Sequence, residues 1–440
     1  MYQRFLQFIQ KNDLFDPNEP ILLAVSGGLD SMVMLHLFMS SHFSFEVAHA
    51  NFHLRGDESD RDEKMLIDFC EKNQLKLHRK SFSTKKIAAD HGKSIEMTAR
   101  DLRYQWFKEI LSSGKLKKIA TAHHINDALE TTIFNLIKGT GIAGIRSIQA
   151  KHENVVRPLI FAKREEIKDY ALRNKITWRE DKSNQSTDIS RNFIRHEIIP
   201  RLRTINPSIE NAYKTSKRRF EAADFFYQQH MDLIKEKYIS NEGDHIFIDK
   251  QILKEPFAEI CLFEMISNFG FSLDQVKDIA ECTNVGAVFY SSEYDLNIDR
   301  ENLIVSPKSE GNIFIKVDTT GQVRITEKNC LDLSVHNRPS DLKCPPNIAL
   351  VDLNEVTFPL IIRSWKQGDY FYPLGMDHKK KISDFMIDEK IPLNLKRQVL
   401  VIESAGEILW VVNHRPDHRY RVKSTTEKVL KLVYNNVQSF

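Results

Sequence analysis

The sequence predicts an α/β fold, with a doubly wound parallel sheet in the N-terminal part of the chain, a mostly helical middle domain and a small α+β C-terminal domain. Two observations predict the sheet. Short apolar runs of the kind that form buried parallel strands alternate with helical patterns over residues 21 to 138. A glycine-rich turn also stands directly between the first run and the first helical pattern. Because parallel strands are joined by crossover helices, this alternation indicates helices on both faces of one sheet.

Four predicted strands and four predicted helices make up the alternation. The strands are ILLAV, FEVAHA, KLHRKSF and KIATA, at residues 21 to 25, 45 to 50, 76 to 82 and 118 to 122. The helical patterns cover residues 32 to 39, 60 to 73, 94 to 111 and 128 to 138. Doubly wound sheets bind ligands at the carboxyl ends of their strands. We therefore expect functional residues directly after the apolar runs.

The rest of the chain indicates two further domains, since 440 residues exceed what one hydrophobic core usually fills. Helical patterns continue from about 210 to 290, and short strands and turns follow to 345. The composition of residues 337 to 346 is that of a linker. The predicted domains are a catalytic sheet domain at 1–212, a helical middle domain at 213–345 and a C-terminal domain at 350–440.

Composition excludes several classes of protein. The 41% hydrophobic and 28% charged content is that of an ordinary globular protein. Five widely spaced cysteines without a CxxC pair argue against a disulfide framework or a zinc ribbon. The N-terminus lacks the apolar stretch of a signal peptide, and no run is long enough to span a bilayer. We expect a cytoplasmic protein with reduced thiols and no membrane partner.

Positive charge is concentrated in two stretches, although the net charge is only +3. Residues 155 to 205 carry 12 Lys and Arg against 7 Asp and Glu, and residues 361 to 440 carry 14 against 9. Either stretch alone is as consistent with an ordinary solvated surface as with a binding site for a charged partner. Together they favour a polyanionic partner such as a nucleic acid.

The segment SGGLDS, which begins at Ser26, has the features of a phosphate-binding turn. Gly27 and Gly28 allow a sharp turn that brings backbone N–H groups close to phosphate oxygens, and the positive end of the next helix adds to this. Ser26 and Ser31 can donate hydroxyl hydrogen bonds, while Asp30 suits such a site when it holds a magnesium ion. No GxxxxGK string is present, so transfer of a terminal phosphoryl group is disfavoured.

SGGLDS resembles the signature of the PP-loop pyrophosphatase superfamily, whose members cleave ATP between the α and β phosphates. Four further segments resemble one branch, the tRNA(Ile)-lysidine synthetases, and a tail segment at 361 to 392 resembles the C-terminal domain of its longer members. The four segments are HANFHLRGDESDRDE at 49 to 63, EMTARDLRYQWF at 96 to 107, TAHHINDALETTIFNLIKGTGIAG at 121 to 144 and WREDKSNQSTDISRNFIRHEIIPRL at 178 to 202. The chain has no Cys between 71 and 260, which disfavours the sulfur-inserting branch.

Individual residues match or depart from the family pattern. The matches are His49, Arg55, Glu58, Ser59, Asp62, Arg100, Arg103, His123, His124, Asp127, Glu130, Thr131, Asp181, Ser183, Asn184, Arg191, Asn192 and Arg195. Phe52 and His53 replace the usual His and Gly, and Asn126 and Ala128 replace the usual Asp and Gln. On helices, the spacing of Arg100 with Arg103, and of Arg191 with Arg195, predicts that each pair shares a face.

The resemblance implies a ligase that uses ATP and Mg²⁺. ATP adenylates carbon 2 of the wobble cytidine in a tRNA(Ile) with a CAU anticodon, and an amine of free lysine then displaces AMP to give lysidine. The implied ATP-binding residues are Ser26, Gly27, Gly28, Leu29, Asp30 and Ser31, with Asp30 and Asp127 on the metal. The implied catalytic residues are Asp30, Arg103, His123, Asp127, Glu130 and Arg195. The sequence leaves open whether the chain is a monomer or a homodimer, and whether Asp127 or Glu130 meets the lysine amine.

A noncatalytic module that senses ATP on the same scaffold is the alternative. It does not require the arginine and carboxylate residues that follow the loop. Release of pyrophosphate in the presence of RNA and lysine separates the two hypotheses.

Overall fold

The computed structural model describes residues 1–54, 56–112, 114–179, 190–308, 311–326 and 329–436. They form two compact units, Met1–Gln228 and Gln229–Phe440. Each unit has its own sheets and its own hydrophobic cores.

A six-stranded sheet organises the first unit. Its strand order is β3-β2-β1-β4-β6-β5, and every neighbouring pair is parallel except the edge pair β5 and β6. The strands are β1 (Ile21–Ala24), β2 (Phe45–Asn51), β3 (Leu77–Ser81), β4 (Ile119–Ala120), β5 (Lys151–His152) and β6 (Val155–Val156). The four predicted strands are thereby confirmed, and the predicted parallel sheet with them.

Helices cover both faces of this sheet. Ile21 and Leu23 of β1 pack into the core beneath α1, α2 and α8, whereas Leu22 packs into the core beneath α5. The helices are α1 (Tyr2–Lys11), α2 (Leu29–Met39), α3 (Asp57–Lys72), α4 (Thr84–His91), α5 (Ile95–Ser112), α6 (Ile125–Lys138), α7 (Ile142–Arg146), α8 (Arg164–Arg173), α9 (Ser190–Phe193), α10 (Ile199–Ile205) and α11 (Ile209–Tyr238). The alternation of buried side chains along β1 explains why an almost wholly apolar strand forms here, since both of its faces are covered.

The strand order reverses at β1, which lies between β2 and β4. From β1 the chain crosses to β2 and β3 on one side, and later to β4 and β6 on the other. The carboxyl ends of β1 and β4 therefore flank a crevice, the position where open α/β sheets bind ligands. SGGLDS follows β1 and the HHIND segment follows β4.

The second unit is rich in antiparallel strands. Its sheets have the orders β7-β8-β11-β10-β9, β12-β16-β19-β20, β13-β14-β21-β15 and β17-β18. The strands are β7 (Ile239–Glu242), β8 (His245–Asp249), β9 (Val288–Tyr290), β10 (Tyr294–Ile298), β11 (Asn302–Pro307), β12 (Phe314–Val317), β13 (Gly321–Arg324), β14 (Asn329–Asn337), β15 (Ile348–Asp352), β16 (Leu360–Ser364), β17 (Tyr370–Phe371), β18 (Lys380–Lys381), β19 (Leu400–Ser404), β20 (Glu407–Val411) and β21 (Lys428–Asn436). The helices are α12 (Ala258–Ile266), α13 (Leu273–Glu281), α14 (Ile382–Asp388) and α15 (Leu393–Lys396).

The middle region is helical along α11, α12 and α13, as predicted, but β7 and β8 interrupt it. HIFID in β8 has the alternation of a strand, and that run is too short to stand out against the long helical pattern before it. The loop at 338 to 347 joins β14 to β15, two strands of one sheet. A boundary between 345 and 350 therefore falls inside the second unit, because β12 pairs with β16 and β14 pairs with β21 across it.

No helix in the described part of the chain combines the length and the apolar character that spanning a bilayer requires.

Candidate active site

The SGGLDS segment forms a tight turn from β1 into α2. Gly27 has a φ of +87°, and a Cβ there would lie 3.3 Å from Cε of Met65, so a side chain is disfavoured on both counts. Gly28 is the N-cap residue of α2. The hydroxyls of Ser26 and Ser31 lie 3.2 Å apart, and Ser31 Oγ donates to the Gly28 carbonyl oxygen at 2.9 Å. N–H groups of a first helical turn lack intrahelical partners, so this end of α2 favours a bound anion.

Asp30 lies in that first turn, and one of its carboxylate oxygens has no hydrogen-bond partner. Its Oδ1 is buried and lies 3.7 Å from Nε2 of His124, beyond hydrogen-bond range. Burial raises the pKa of Asp30, and the nearby carboxylate of Asp127 acts in the same direction against His124. A buried carboxylate oxygen without a partner is costly for the protein alone. It is the atom of this turn best suited to bind a cation.

The HHIND segment begins α6 at the neighbouring strand end. His124 precedes the helix, and its backbone N–H donates to Oδ2 of Asp127 at 2.9 Å, which satisfies one donor at the helix start. Burial opposes ionisation of Asp127, but His124, His123 and Arg195 together hold the pKa of its carboxyl below the ordinary value. Asp127 is therefore a carboxylate at neutral pH.

His123 is a neutral imidazole. Its Nδ1 lies 2.9 Å from the Thr121 hydroxyl, which leaves Nε2 as its second ring nitrogen. Burial lowers the pKa of His123 to about 4. The carboxylate of Asp127 acts against this effect, and the positive charges of Arg157 and Arg191 act with it. A ring in this state can accept a hydrogen bond or a proton.

Arg195 connects the two carboxylates of α6. It lies in a π-helical turn, Ile194–Ile198, and donates from Nε to Glu130 Oε1 and from Nη2 to Glu130 Oε2, both at 2.7 Å. The same Nη2 reaches Oδ1 of Asp127 at 3.2 Å. Glu130 is only 2% exposed, so this is a buried, two-point ion pair. Both of its carboxylate oxygens are engaged, in contrast to those of Asp30.

A cavity of about 620 Å³ lies over the loop and brings most of the predicted residues together. Ser26, Gly28, Leu29, Asp30, Ser31, Arg103, His123, Asp127 and Arg195 line it. Glu130 and Gly27 are not among its lining residues. Its apolar wall includes Phe52 and Phe107, and Arg103 lies over the Phe52 ring at 5.0 Å from guanidinium carbon to centroid. The cavity thus combines an anion-binding turn, carboxylates, arginines and an aromatic wall.

Each predicted arginine pair is divided between this cavity and a smaller one. Arg103 and Arg195 line the larger cavity, whereas Arg100 and Arg191 line the smaller. Arg191 and Arg195 do share a helical face, since Arg191 donates to Thr131 and Arg195 to residues of the same helix. Arg100 and Arg103 thus line two adjacent cavities, which share Tyr104 and His123 as lining residues.

Three residues of the larger cavity were missed in the sequence. Arg164 begins α8, and Trp178 and Arg179 follow that helix. The Arg179 N–H donates to the Gly27 carbonyl oxygen at 3.1 Å, and its Nε pairs with Oδ1 of Asp62 at 2.6 Å. Arg179 therefore anchors the glycine turn to α3. The WRED motif contained the only signal for these contacts.

Two departures from the family pattern lie beside the cavity. His53 has a φ of +49°, a conformation that a glycine adopts without strain. Its Nδ1 lies 3.2 Å from Oδ1 of Asp60, and its backbone N–H donates to Asn51 Oδ1 at 3.0 Å. Phe52 stacks on Phe82 with ring centroids 5.4 Å apart. These contacts offset the strain at His53 and give Phe52 a packing role.

The two departures in α6 lie at buried positions. Asn126 is buried, its Nδ2 donates to Oε1 of Glu210 at 3.4 Å, and its Oδ1 accepts from the Arg164 N–H at 3.1 Å. An aspartate could not donate to Glu210. Ala128 is fully buried, and its carbonyl oxygen accepts from the Tyr213 hydroxyl at 3.0 Å.

Some predicted residues lie outside the described chain, namely Arg55, Asp181, Ser183 and Asn184. Within the residues that are described, no group of three His, Cys, Asp or Glu side chains is arranged to hold a metal ion by itself.

Comparison with known proteins agrees with this geometry. Residues 1–202 match the PP-loop domain, residues 241–308 the TilS substrate binding domain and residues 360–432 the TilS substrate C-terminal domain. A glycine turn at the switch point of a parallel sheet, with carboxylates and arginines around it, defines the class of ATP-using PP-loop enzymes. Within that class, the chain belongs to the tRNA(Ile)-lysidine synthase family.

Three relatives named tRNA(Ile)-lysidine synthase match nearly the whole chain. The protein of Bacteroides thetaiotaomicron is 35% identical over 97% of this chain and 98% of its own length. That of Parabacteroides distasonis is 34% identical over 96% and 97%. That of Porphyromonas gingivalis strain W83 is 31% identical over 96% of both chains. The predicted family, fold class and enzyme class, a PP-loop ligase that uses ATP, are confirmed.

Proposed function

We propose that this chain forms lysidine on tRNA(Ile) in the larger cavity, with ATP on the SGGLDS loop and free lysine as the second substrate. Lysidine formation on tRNA(Ile) is the reaction of the family. The observation that carries the proposal is that the turn after β1 and the HHIND segment after β4 meet in one cavity with Arg103 and Arg195. As a tRNA-modifying enzyme, the protein acts in the cytoplasm.

The cavity is suited both to the phosphates of ATP and to its adenine ring. Backbone N–H groups at the start of α2, with the hydroxyls of Ser26 and Ser31, suit the β and γ phosphates that leave together as pyrophosphate. Arg103 and Arg195 supply positive charge beside them. Phe52 and Phe107 provide an apolar wall for the adenine ring.

The residues of the cavity also fit a magnesium ion bound together with ATP. Mg²⁺ in nucleotide sites usually takes one or two protein carboxylates, with phosphate oxygens and waters as its other ligands. The partnerless Oδ1 of Asp30 meets this requirement, and Asp127 is an ionised second carboxylate. When bound, the ion neutralises the charge that develops on the leaving pyrophosphate.

Two displacements make up the reaction. The O2 atom of the wobble cytidine attacks the α phosphorus, the bond to the β phosphate breaks, and pyrophosphate leaves. An amine of lysine then attacks carbon 2 of the cytidine, the bond to the adenylate oxygen breaks, and AMP leaves while the amine loses a proton. Asp127 attracts the ammonium group of lysine, which gives up one proton to water to become the attacking amine. Neutral His123 is in place to accept the second proton, which the nitrogen loses once it has attacked.

Glu130 has a different role in this proposal. Both of its oxygens bind Arg195, so it holds that guanidinium in the cavity and does not contact lysine. It is a positioning residue.

One experiment tests the proposal. The protein is incubated with ATP, labelled lysine and either tRNA(Ile) or tRNA(Met), both with a CAU anticodon, and pyrophosphate release and tRNA-bound label are measured. We expect label on tRNA(Ile) alone, with pyrophosphate released in step. Label on neither tRNA rejects lysidine synthesis, and absence of pyrophosphate release under every condition favours an ATP sensor.

A further inference from the structure

A second cavity, of about 270 Å³, lies in the first unit and is strongly positive. Four arginines line it, which we call the arginine cluster: Arg100, Arg146, Arg157 and Arg191. His123, His152 and Tyr104 are also among its lining residues, and no Asp or Glu is among those described. Four guanidinium groups around so small a space repel one another unless an anion binds between them.

The arginine cluster is only partly neutralised by the protein. Arg146 pairs through Nη1 with Oδ2 of Asp224 at 2.5 Å, and this is its one ion pair among the described residues. Arg157 donates from Nη1 to the Gln149 carbonyl oxygen at 2.8 Å, and Arg191 donates to the Thr131 hydroxyl. These last two acceptors are uncharged.

Donor atoms in the cluster remain unused. The Nε atoms of Arg146 and Arg157 are both buried and have no hydrogen-bond partner among the described residues. Arg100 lies over the Tyr104 ring at 5.4 Å and is exposed at the mouth of the cavity. Unsatisfied, buried guanidinium donors are costly, and an anion with several oxygens is the ligand that satisfies them.

The two cavities are neighbours. Tyr104 and His123 line both of them, so a group bound by the arginine cluster lies one side chain away from the ATP cavity. The glycine turn and Asp30 line only the larger cavity, which already offers pyrophosphate a site of its own. The smaller cavity also opens to solvent at the exposed residues Arg100 and His152. A ligand that extends beyond the cavity requires such an opening.

We propose that the arginine cluster binds a backbone phosphate of the substrate RNA next to the nucleotide whose base enters the ATP cavity. The inference rests on the proposed function and deepens it. Phosphate contacts carry no base information, but they fix the register of a nucleic acid on its protein. The cluster therefore sets which nucleotide along the anticodon loop reaches the α phosphate of ATP.

The test uses the full chain with Arg100→Gln and Arg191→Gln combined, and Arg173→Gln as the matched control. Arg173 is exposed at the end of α8 and lines neither cavity. The affinity for the tRNA(Ile) anticodon stem-loop is measured over a range of salt concentrations, with the ATP KM and the melting temperature beside it. We expect the double variant to bind RNA about tenfold more weakly, with a salt slope reduced by about 1, and an unchanged ATP KM.

Two kinds of result overturn the proposal. RNA affinity and salt slope equal to those of the wild type, or an equal loss in Arg173→Gln, removes the phosphate site. Weaker inhibition by added pyrophosphate with unchanged RNA affinity assigns the cluster to that product instead. Arg100→Gln alone keeps the test valid if the double variant melts early, since Arg100 is exposed. RNA binding is measured without lysine, so failure of lysine incorporation in the wild type rejects the proposed function separately.

Discussion

At the scale of single residues, the site depends on how three carboxylates are partnered. Asp30 has an oxygen without a partner, Asp127 caps α6 and stays ionised, and both oxygens of Glu130 are held by Arg195. The same functional group therefore has three different capacities: cation binding, attraction of an amine, and the positioning of an arginine. The partners, not the residue type, separate these roles.

Asp30→Asn tests the first role. We expect pyrophosphate release to fall by about 100-fold or more, because the variant loses a ligand for the metal bound with ATP. The raised pKa of Asp30 means that the folded state binds its proton more tightly than the unfolded state does. That stability cost is full at neutral pH and vanishes as the pH falls below the ordinary carboxyl range.

Thermal melting of the ATP-free protein gives a second readout for the same variant. At pH 7 the Asn variant should melt at or above the wild-type temperature, and the difference should shrink toward acid pH. Normal turnover in Asp30→Asn removes the metal role, whatever its stability.

Glu130→Gln tests whether Glu130 contacts lysine or positions Arg195. We expect a loss of about 2 kcal/mol in the free energy of unfolding and a lower kcat, with the lysine KM unchanged. Glu197→Gln is the control, because Glu197 makes an exposed pair with Arg201 in the same segment and should cost under about 1 kcal/mol. A raised lysine KM with normal stability would indicate that Glu130 contacts lysine.

The sequence predicted which residues form the site better than it predicted the contacts that those residues make. Asp30, His123, Asp127, Arg103 and Arg195 were all identified by motif, and all line one cavity. The different roles of Asp127 and Glu130 were not predictable, because they depend on which carboxylate oxygens accept hydrogen bonds from Arg195. Likewise, the contact between Arg179 and the glycine turn joins residues more than a hundred positions apart, which no local pattern encodes.

At the scale of elements, the start of α6 is held against α8 and α11 by buried polar contacts. Asn126 donates to Glu210 in α11 and accepts from the first residue of α8. Arg203 of α10 forms an ion pair with the carboxylate of Glu210. The active-site end of α6 thereby depends on the charge at position 126.

Asn126→Asp restores the residue usual in the family, and we expect it to destabilise this chain. Two buried carboxylates would face each other, at a cost of about 1–3 kcal/mol in the free energy of unfolding. Adding Glu210→Gln should recover most of the loss, and chemical denaturation of the single and double variants measures the coupling. Equal losses with and without Glu210→Gln would show that the contact is not the cause.

Regular elements were predictable where the pattern is long and both faces are buried. β1 to β4 and the helices α2, α3, α5 and α6 all lie within a few residues of their expected positions. β7 and β8 were missed, since they are short and partly exposed strands at the end of a 30-residue helix. β7 pairs with β8, and β8 pairs with β11, which lies about 55 residues further along the chain, a distance that sequence periodicity does not report.

At the scale of the whole molecule, the tail supplies positive charge far in sequence from the chemistry. Lys379, which directly precedes β18, and Lys381, the last residue of β18, are both exposed. Lys379 lies over the exposed ring of Tyr370 at 5.2 Å. Cations next to an accessible aromatic face are typical of surfaces that bind RNA. We therefore propose that this part of the second unit contributes tRNA affinity and no catalytic group.

Lys379→Gln combined with Lys381→Gln tests this. We expect weaker tRNA binding, with a salt slope lower by about 2, and an unchanged kcat at saturating tRNA. Lys277→Gln with Lys316→Gln is the matched control, since both lysines are exposed in the second unit outside the tail. Equal effects in the two double variants would indicate general charge attraction without a specific surface.

The ladder between β14 and β21 has a consequence for synthesis on the ribosome. It joins segments roughly a hundred positions apart, so it belongs to the slow, non-local class of contacts. While residues 428 to 436 are untranslated, β14 has one open edge, and β15 lacks the one strand that it pairs with among the described residues. Nascent chains must therefore carry exposed strand edges until translation passes this point, and a chain that stalls earlier becomes a template for aggregation and a substrate for chaperones and proteases.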